Sequence, residues 1–454
     1  MTTPASSEPF EINHARVLAI AVPMTLANVT TPLLGLIAMA AIGQLGEAHL
    51  LGAVAIASVV FDCLFWLFGF LRMGTVALTA QALGRRDSIE QRAVLARALI
   101  LAALIGGALV ALQWPLGSIA FKVMGASDAV TQAAQTYFFV RIWSAPFALG
   151  NYAVLGWLVG QARTTLALGL QIAINVTSIA AVSLLVLRLD FGVAGAAAAA
   201  VIAEAAGLAI GIGIAARINR DLTRIPREQV FDRAKLTRML AVNRDIMIRT
   251  AALIAAFLFF SAQSARAGDT VLAANAVLNN LVLVSAYFLD GFATASEQLC
   301  GRSVGGRDGI GFRRAVRLSL GWGYAVAFAI SFAILIAGDQ FIAMMTTSPE
   351  VRVVAREFAL FAALAPFAGV AAYTFDGIFI GATWTRDMRN LMVAALVLYL
   401  VSWFALREFG NAGLWAALLI FLVARGALQA ARYPALLRGT RPCRSLKKAR
   451  QGRE

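Results

Sequence analysis

Twelve apolar runs, each long enough to cross a lipid bilayer, leave this chain of 454 residues few ways to fold. They fall roughly at 15–43, 50–82, 90–115, 128–160, 164–187, 191–218, 240–266, 270–302, 312–337, 350–382, 388–406 and 410–436. A helix spans the ~30 Å hydrocarbon layer with about 20 residues. Several runs exceed about 28 residues, so those helices tilt or extend beyond the bilayer. Hydrophobic residues make up 60% of the chain and charged residues 14%, with a mean hydropathy of +0.77. A polytopic, all-α membrane protein is the class these values define.

The chain also repeats itself. Residues 287–308, YFLDGFATASEQLCGRSVGGRD, carry Asp290 deep in an apolar run and end in a Gly- and Arg-rich loop. VGGRD at 304–308 matches LGRRD at 83–87, a separation of 221 residues. APFA at 145–148 recurs at 365–368, Gly156 and Gly160 recur as Gly377 and Gly381, and DFGVAG at 190–195 echoes EFGNAG at 408–413. Two similar halves meeting near residue 230 place a functional site between them. The expected organisation is an N-terminal six-helix bundle at 1–216, a linker at 217–239, a C-terminal six-helix bundle at 240–437 and a basic tail at 438–454.

The net charge of +15 and pI near 10.7 raise the possibility of nucleic-acid binding, but the distribution of charge answers it. Of the 39 Lys and Arg, about 29 fall on one side, in alternate loops and both tails. Lys122, Arg188, Arg266, Arg352, Arg356 and Arg407 fall on the other. This positive-inside asymmetry accounts for the basic surplus and puts both termini in the cytoplasm. No signal peptide is expected, since the first apolar run is too long for one. Residues 1–13 and the basic tail read as disordered, and the linker as a solvated connector, partly an interfacial helix. Cys63, Cys300 and Cys443 have no metal or disulfide spacing.

Enzymatic chemistry finds no support. GRRD and GGRD follow helices and lack the Lys-Ser/Thr ending of a phosphate loop. His14 and His49 have no ligand or catalytic partner at useful spacing, and no Gly-x-Ser-x-Gly elbow occurs. Without a nucleotide site, transport would have to run on an ion gradient.

What remains is a set of ionisable groups in apolar runs: Asp62, Arg72, Arg141, Glu204, Arg249, Asp290, Glu297, Asp376 and Arg425. Such groups face an aqueous cavity or one another. Each can be half of a structural ion pair, the reading favoured for Arg141, Glu204 and Arg425. Function is favoured for Asp290 and Asp376, because Gly69 and Leu155 stand at the equivalent positions of the first half. Asn275, Asn279 and Asn280 form a polar stripe that either faces a cleft or glues helices together. Phe61, Phe65, Trp66, Met73, Tyr287 and Phe288 can supply an adaptable cleft wall, or ordinary packing.

At FWLFGFLRMGTVALTAQALGRRD, FLDGFATASEQL and FDGIFIGATWTRDMRN, the chain resembles the multidrug and toxic compound extrusion (MATE) family, in particular its DinF-like prokaryotic branch. The resemblance covers nearly the whole chain. It implies two six-helix bundles related by a pseudo-twofold axis along the membrane normal. It also implies a cleft between them for organic, often cationic substrates, exchanged against protons or sodium ions. Arg72, Asp290 and Asp376 match charged positions of that branch's motifs. Two departures stand out: Ala38 and Val182 occupy positions where relatives carry acids. Coupling is therefore expected to rest on Asp290 and Asp376, aided by Asp62, with Arg72 and Arg249 nearby.

The expected activity is efflux from a prokaryotic inner membrane by a monomer that needs no cofactor beyond its coupling ion. Proton and substrate would compete for the same carboxylates and weaken each other's binding equally. Sodium at Asp290 or Asp376 suits a site built of oxygen atoms. A flippase for lipid-linked precursors, and a carrier that has lost transport, are the alternatives. Arg72, Arg141 and Arg249 weigh for the first, and Ala38 with Val182 for the second.

Overall fold

The computed structural model describes residues 11–44, 47–124, 127–219 and 225–440. Most of the expected N-terminal tail, and all of the C-terminal tail beyond 440 with Cys443, lie outside the described residues. The helices are α1 (His14–Gly43), α2 (Ala48–Leu67), α3 (Phe70–Gly84), α4 (Ser88–Ala111), α5 (Gln113–Met124), α6 (Asp128–Arg141), α7 (Ala145–Gly160) and α8 (Thr164–Val182). After α9 (Gly192–Ile218) and the short α10 (Arg227–Val230) come α11 (Arg233–Arg266), α12 (Asp269–Gly305), α13 (Gly309–Met345), α14 (Pro349–Gly381), α15 (Thr385–Leu406) and α16 (Gly410–Thr440). Ten stretches are long and apolar enough to cross a membrane. The last of them holds both α15 and α16, and α1 adds a further crossing, so the twelve expected spans are present.

Local chemistry explains where crossings break. The second divides at Gly69 into α2 and α3, and the fourth divides at a 3-10 turn, Ile142–Ser144, just before Pro146. Proline fits the first turn of α7, where its missing N–H has no intrahelical partner to lose. The twin APFA sits inside an uninterrupted α14, with Pro366 in the helix interior. Within the expected linker, α11 already starts at Arg233. Asp232 caps it by accepting from the Ala234 and Lys235 amides at 2.9 and 3.1 Å. Lys235 then donates to Glu90 on α4 at 2.7 Å, tying the start of α11 to the first bundle.

The duplication is visible in backbone detail. Arg86 and Arg307, 221 residues apart, both take positive φ (59° and 54°), as do Ala162 and Thr383 (60° and 57°). Each pair ends a helix in the same left-handed cap, and Asp87 and Asp308 then cap the next helix through the amides of Glu90 and Gly311. A methyl on Gly156 would stand 2.4 Å from the Arg72 carbonyl oxygen, and on Gly160 2.8 Å from that of Val76. In the second half, Gly377 meets the Ala293 carbonyl at 2.1 Å and Gly381 that of Glu297 at 2.3 Å. The repeated glycine pair therefore lets α7 press on α3 as α14 presses on α12.

The two bundles, α1 to α9 and α11 to α16, meet chiefly through α12, which packs on α13 and α14 in its own bundle and on α1 and α3 in the other. At the linker end the contact is reciprocal. A methyl on Gly84 would stand 2.0 Å from the Arg302 carbonyl, and one on Gly305 2.0 Å from that of Gln81. Positions 81 and 302, like 84 and 305, are equivalent under the 221-residue repeat, so a pseudo-twofold axis passes between α3 and α12. Gln81 closes this end further, donating to the Gly381 carbonyl at 2.8 Å and accepting from Arg238 at 2.7 Å.

Gly156→Ala is expected to destabilise the protein by about 1–3 kcal/mol through overpacking. Gly321, whose added methyl would meet nothing within 4 Å, is the control: its alanine variant should be neutral or gain up to about 1 kcal/mol of helix propensity. Melting temperatures of the two variants in detergent check the contrast.

Candidate functional site

One face of α12 carries Asp290, Ala293, Thr294 and Glu297, spaced i, i+3, i+4 and i+7 so that they align on a helix. With Arg72 and Met73 of α3, Arg249 of α11, and Tyr373, Asp376, Gly377 and Ile380 of α14, they line a recess between the bundles with about 330 Å³ of empty space. The sequence-expected residues Arg72, Met73, Arg249, Asp290 and Asp376 thus come together.

The two acids stand in different surroundings. Asp290 Oδ2 accepts from Arg72 Nη2 at 3.3 Å and from Asn28 Nδ2 at 3.1 Å. The Asn28 Oδ1 accepts from Arg72 Nη1 at 3.3 Å, closing a three-membered ring. Arg72 and Asn28 belong to the first bundle and Asp290 to the second, so this ring bridges them. It is partly open, with side-chain exposures of 23% for Arg72 and 32% for Asp290. One residue on, Gly291 allows close approach of α1, since its added methyl would meet Thr25 Oγ1 at 2.0 Å.

Asp376 is not a lone acid. Its Oδ2 accepts from Arg249 and from Arg425 Nη2, the latter at 2.7 Å, and its Oδ1 accepts from Gln429 Nε2 at 2.6 Å. Asp376, Arg249, Arg425 and Gln429 are all buried. The Arg425 guanidinium also lies 5.5 Å from the Phe421 ring centroid and 5.7 Å from that of Tyr373. Two cations share one carboxylate here, which leaves this buried corner with a surplus of positive charge.

Several expected site residues lie elsewhere. Asn275 is buried and fully engaged: it donates to Ser264 and Asn411 at 2.7 Å each, and accepts from Asn411 at 3.1 Å and Trp415 at 2.9 Å. It is interhelical glue, fifteen residues or about 22 Å of helix from Asp290. Asn279 is half-buried and Asn280 exposed, and neither lines the recess. Phe61 is not a cleft wall but core. It is fully buried, with ring centroids 5.7 Å from Phe65 and 5.3 Å from Phe138, and the Arg141 guanidinium 5.2 Å above it. Its neighbour Asp62 points about 100° away on the helix and is exposed. Tyr287 is half-buried and lies within electrostatic reach of both Asp62 and Asp290, and Phe65 is half-buried behind Phe61.

A second cavity, with about 470 Å³ of empty space, lies inside the first bundle. Ala38 and Val182 face it, together with Arg141, Ser178 and Glu204. Glu204 Oε2 accepts from Asn151 at 2.7 Å.

Asn28, Glu297, Tyr373, Arg425 and Gln429 belong to the main recess or support it, yet sequence reasoning did not select them as site residues. For Glu297 the signal was available, as the seventh residue after Asp290 on one helix. Arg425 was conspicuous as a charge in an apolar run, but nothing in the sequence joins it or Gln429 to Asp376, 49 and 53 residues away. Among the described residues no three His, Cys, Asp or Glu side chains are grouped to hold a metal ion. Sodium fits Asp376 poorly, since all three of its side-chain partners are donors that would have to leave.

Two helical bundles joined over a charged recess, with membrane-length helices in both, are the architecture of a membrane carrier. The MatE family profile matches twice, at residues 23–182 and 246–404, once in each half. The chain belongs to this family, the multidrug and toxic compound extrusion transporters. It is 37% identical over 414 residues to the DNA damage-inducible protein F of Escherichia coli K12, covering 91% of this chain and 90% of that one. Its fold matches a MATE transporter solved in an outward-facing conformation, with a TM-score of 0.81, 20% identity, and coverage of 93% and 96%. It also matches a Pyrococcus furiosus transporter whose description reports reverse polarity of the binding pocket, with a TM-score of 0.78, 19% identity, and coverage of 94% and 96%.

Asp376→Asn would leave two buried guanidinium groups without a counter-charge. We expect a loss of about 3–5 kcal/mol, seen as a lower melting temperature in detergent, and partial recovery when Arg425→Met is added to remove one of the stranded cations.

Proposed function

We propose that the protein exports organic cations across a prokaryotic inner membrane in exchange for protons, as a monomer working by alternating access. The observation that carries this reading is the ring of Arg72, Asn28 and Asp290 between the bundles. A partly exposed ion pair can be exchanged for another, because its Coulomb gain in a wet setting is modest. An organic cation entering the recess replaces Arg72 at Asp290 and loosens the bridge that holds the bundles together there. The positive-inside bias supports a cytoplasmic linker face, which the glycine contacts of α3 and α12 close, so the described state would be outward-facing. Protons are preferred to sodium because Asp290 and Asp376 already face guanidinium and amide donors.

One observation favours a second reading. The surplus charge of Arg249 and Arg425 over Asp376 suits an anionic substrate such as a lipid-linked precursor. Ethidium transport in inverted membrane vesicles under an imposed pH gradient separates the two. Gradient-dependent ethidium uptake that drops at least about tenfold in Asp290→Asn supports the exchanger. Uptake that ignores both the gradient and the substitution, alongside movement of an anionic lipid probe, would support the flippase instead.

A further inference from the structure

We propose that Glu297 is the proton-binding residue of the recess, releasing its proton to recess water when an organic cation takes the place of Arg72 at Asp290. The proposal deepens the exchanger reading and rests on it for the cation.

Glu297 lies two turns, about 10 Å, beyond Asp290 on the same face of α12. It lines the recess yet is only 5% exposed, and its Oε1 is sealed from solvent with no hydrogen-bond partner. Packing does not require a carboxyl there. Val76 holds the equivalent place in the first half, buried at 2% exposure, and each residue presents its backbone carbonyl to the matching glycine, Gly160 or Gly381. A valine therefore serves the same backbone geometry.

The charged and titratable groups facing Glu297 come from four helices: Arg72 of α3, Arg249 of α11, Asp290 of α12 itself, and Asp376 with Tyr373 of α14. The recess takes no titratable side chain from α1 or α13. Arg72 and Arg249 are committed to Asp290 and Asp376. An ionised carboxylate buried without a partner is costly, so the neutral acid is the form this setting accommodates. Arg72 is close enough for its charge to act on Glu297.

The exchange then balances. An organic cation pairs with Asp290 and frees the Arg72 guanidinium, which turns toward Glu297. The Glu297 O–H bond breaks, the carboxylate pairs with Arg72, and the proton passes to water in the recess. One positive charge enters and one leaves, and every buried charge keeps a partner at each stage.

The test uses the full chain in detergent micelles and tetraphenylphosphonium as the cation. In weakly buffered solution with a pH dye, the native protein should release about one proton per cation bound, with affinity rising about tenfold per pH unit over the competing range. Glu297→Gln should release none and bind with a flat pH profile, while Glu297→Asp restores both. A glutamine variant that releases protons as the native protein does would overturn the proposal, and so would cation binding without proton release by the native protein. Infrared spectroscopy reads the site without any substrate. A carboxylic-acid band present in the native protein and lost in Glu297→Gln supports the assignment even if tetraphenylphosphonium fails to bind, which would sink the exchanger reading alone. No such difference would sink the assignment.

Discussion

Everything in this molecule hangs on how closely α3 and α12 approach. Their backbones touch through Gly84 and Gly305, each lying against the carbonyl of a residue that is the symmetry mate of the other's partner. No side chain larger than hydrogen fits at either place. In a bilayer, where lipid tails are as apolar as leucine, close backbone packing at small residues is a main source of helix association. The contact fixes where the pseudo-twofold axis runs. It also sets the distance between Arg72 and Asp290, which sit farther along the same two helices.

The symmetry is one of backbone and not of chemistry. Left-handed caps at 86 and 307 and at 162 and 383, aspartate caps at 87 and 308, and the two glycine pairs repeat faithfully. The charged groups do not: Gly69, Val76 and Leu155 stand opposite Asp290, Glu297 and Asp376. Duplication thus supplied a scaffold of two like halves, and the acids of the recess stand in one half alone. The first bundle keeps a cavity of its own, faced by Ala38 and Val182, where Glu204 stands beside Asn151.

The fold was largely legible because its signals are local and repeated. Span length follows from bilayer thickness, and the caps and glycine pairs recur at one separation that can be read by eye. The site was legible only where charge sat conspicuously in an apolar run, as at Arg72, Arg249, Asp290 and Asp376. Partnership was not legible. Nothing in the sequence joins Asp376 to Arg425 and Gln429, or Asp290 to Asn28 across 262 residues. Asn275 and Phe61 misled for a related reason: a polar or aromatic residue on a spanning helix reads the same whether it faces a cleft or a neighbouring helix, and only packing decides.

The difference between the two acids follows from their solvation. Asp376 holds its partners where water does not compete, so removing one strands a charge at a cost of several kcal/mol. In this structure its carboxylate holds Arg249, Arg425 and Gln429 together out of water. Asp290 meets Arg72 at 3.3 Å with both side chains partly exposed, a setting in which an ion pair contributes about 0–1 kcal/mol. The exchange proposed above needs a bond of that second kind at its centre. It must be strong enough to align the bundles, and weak enough that an arriving cation of comparable charge density can take it over.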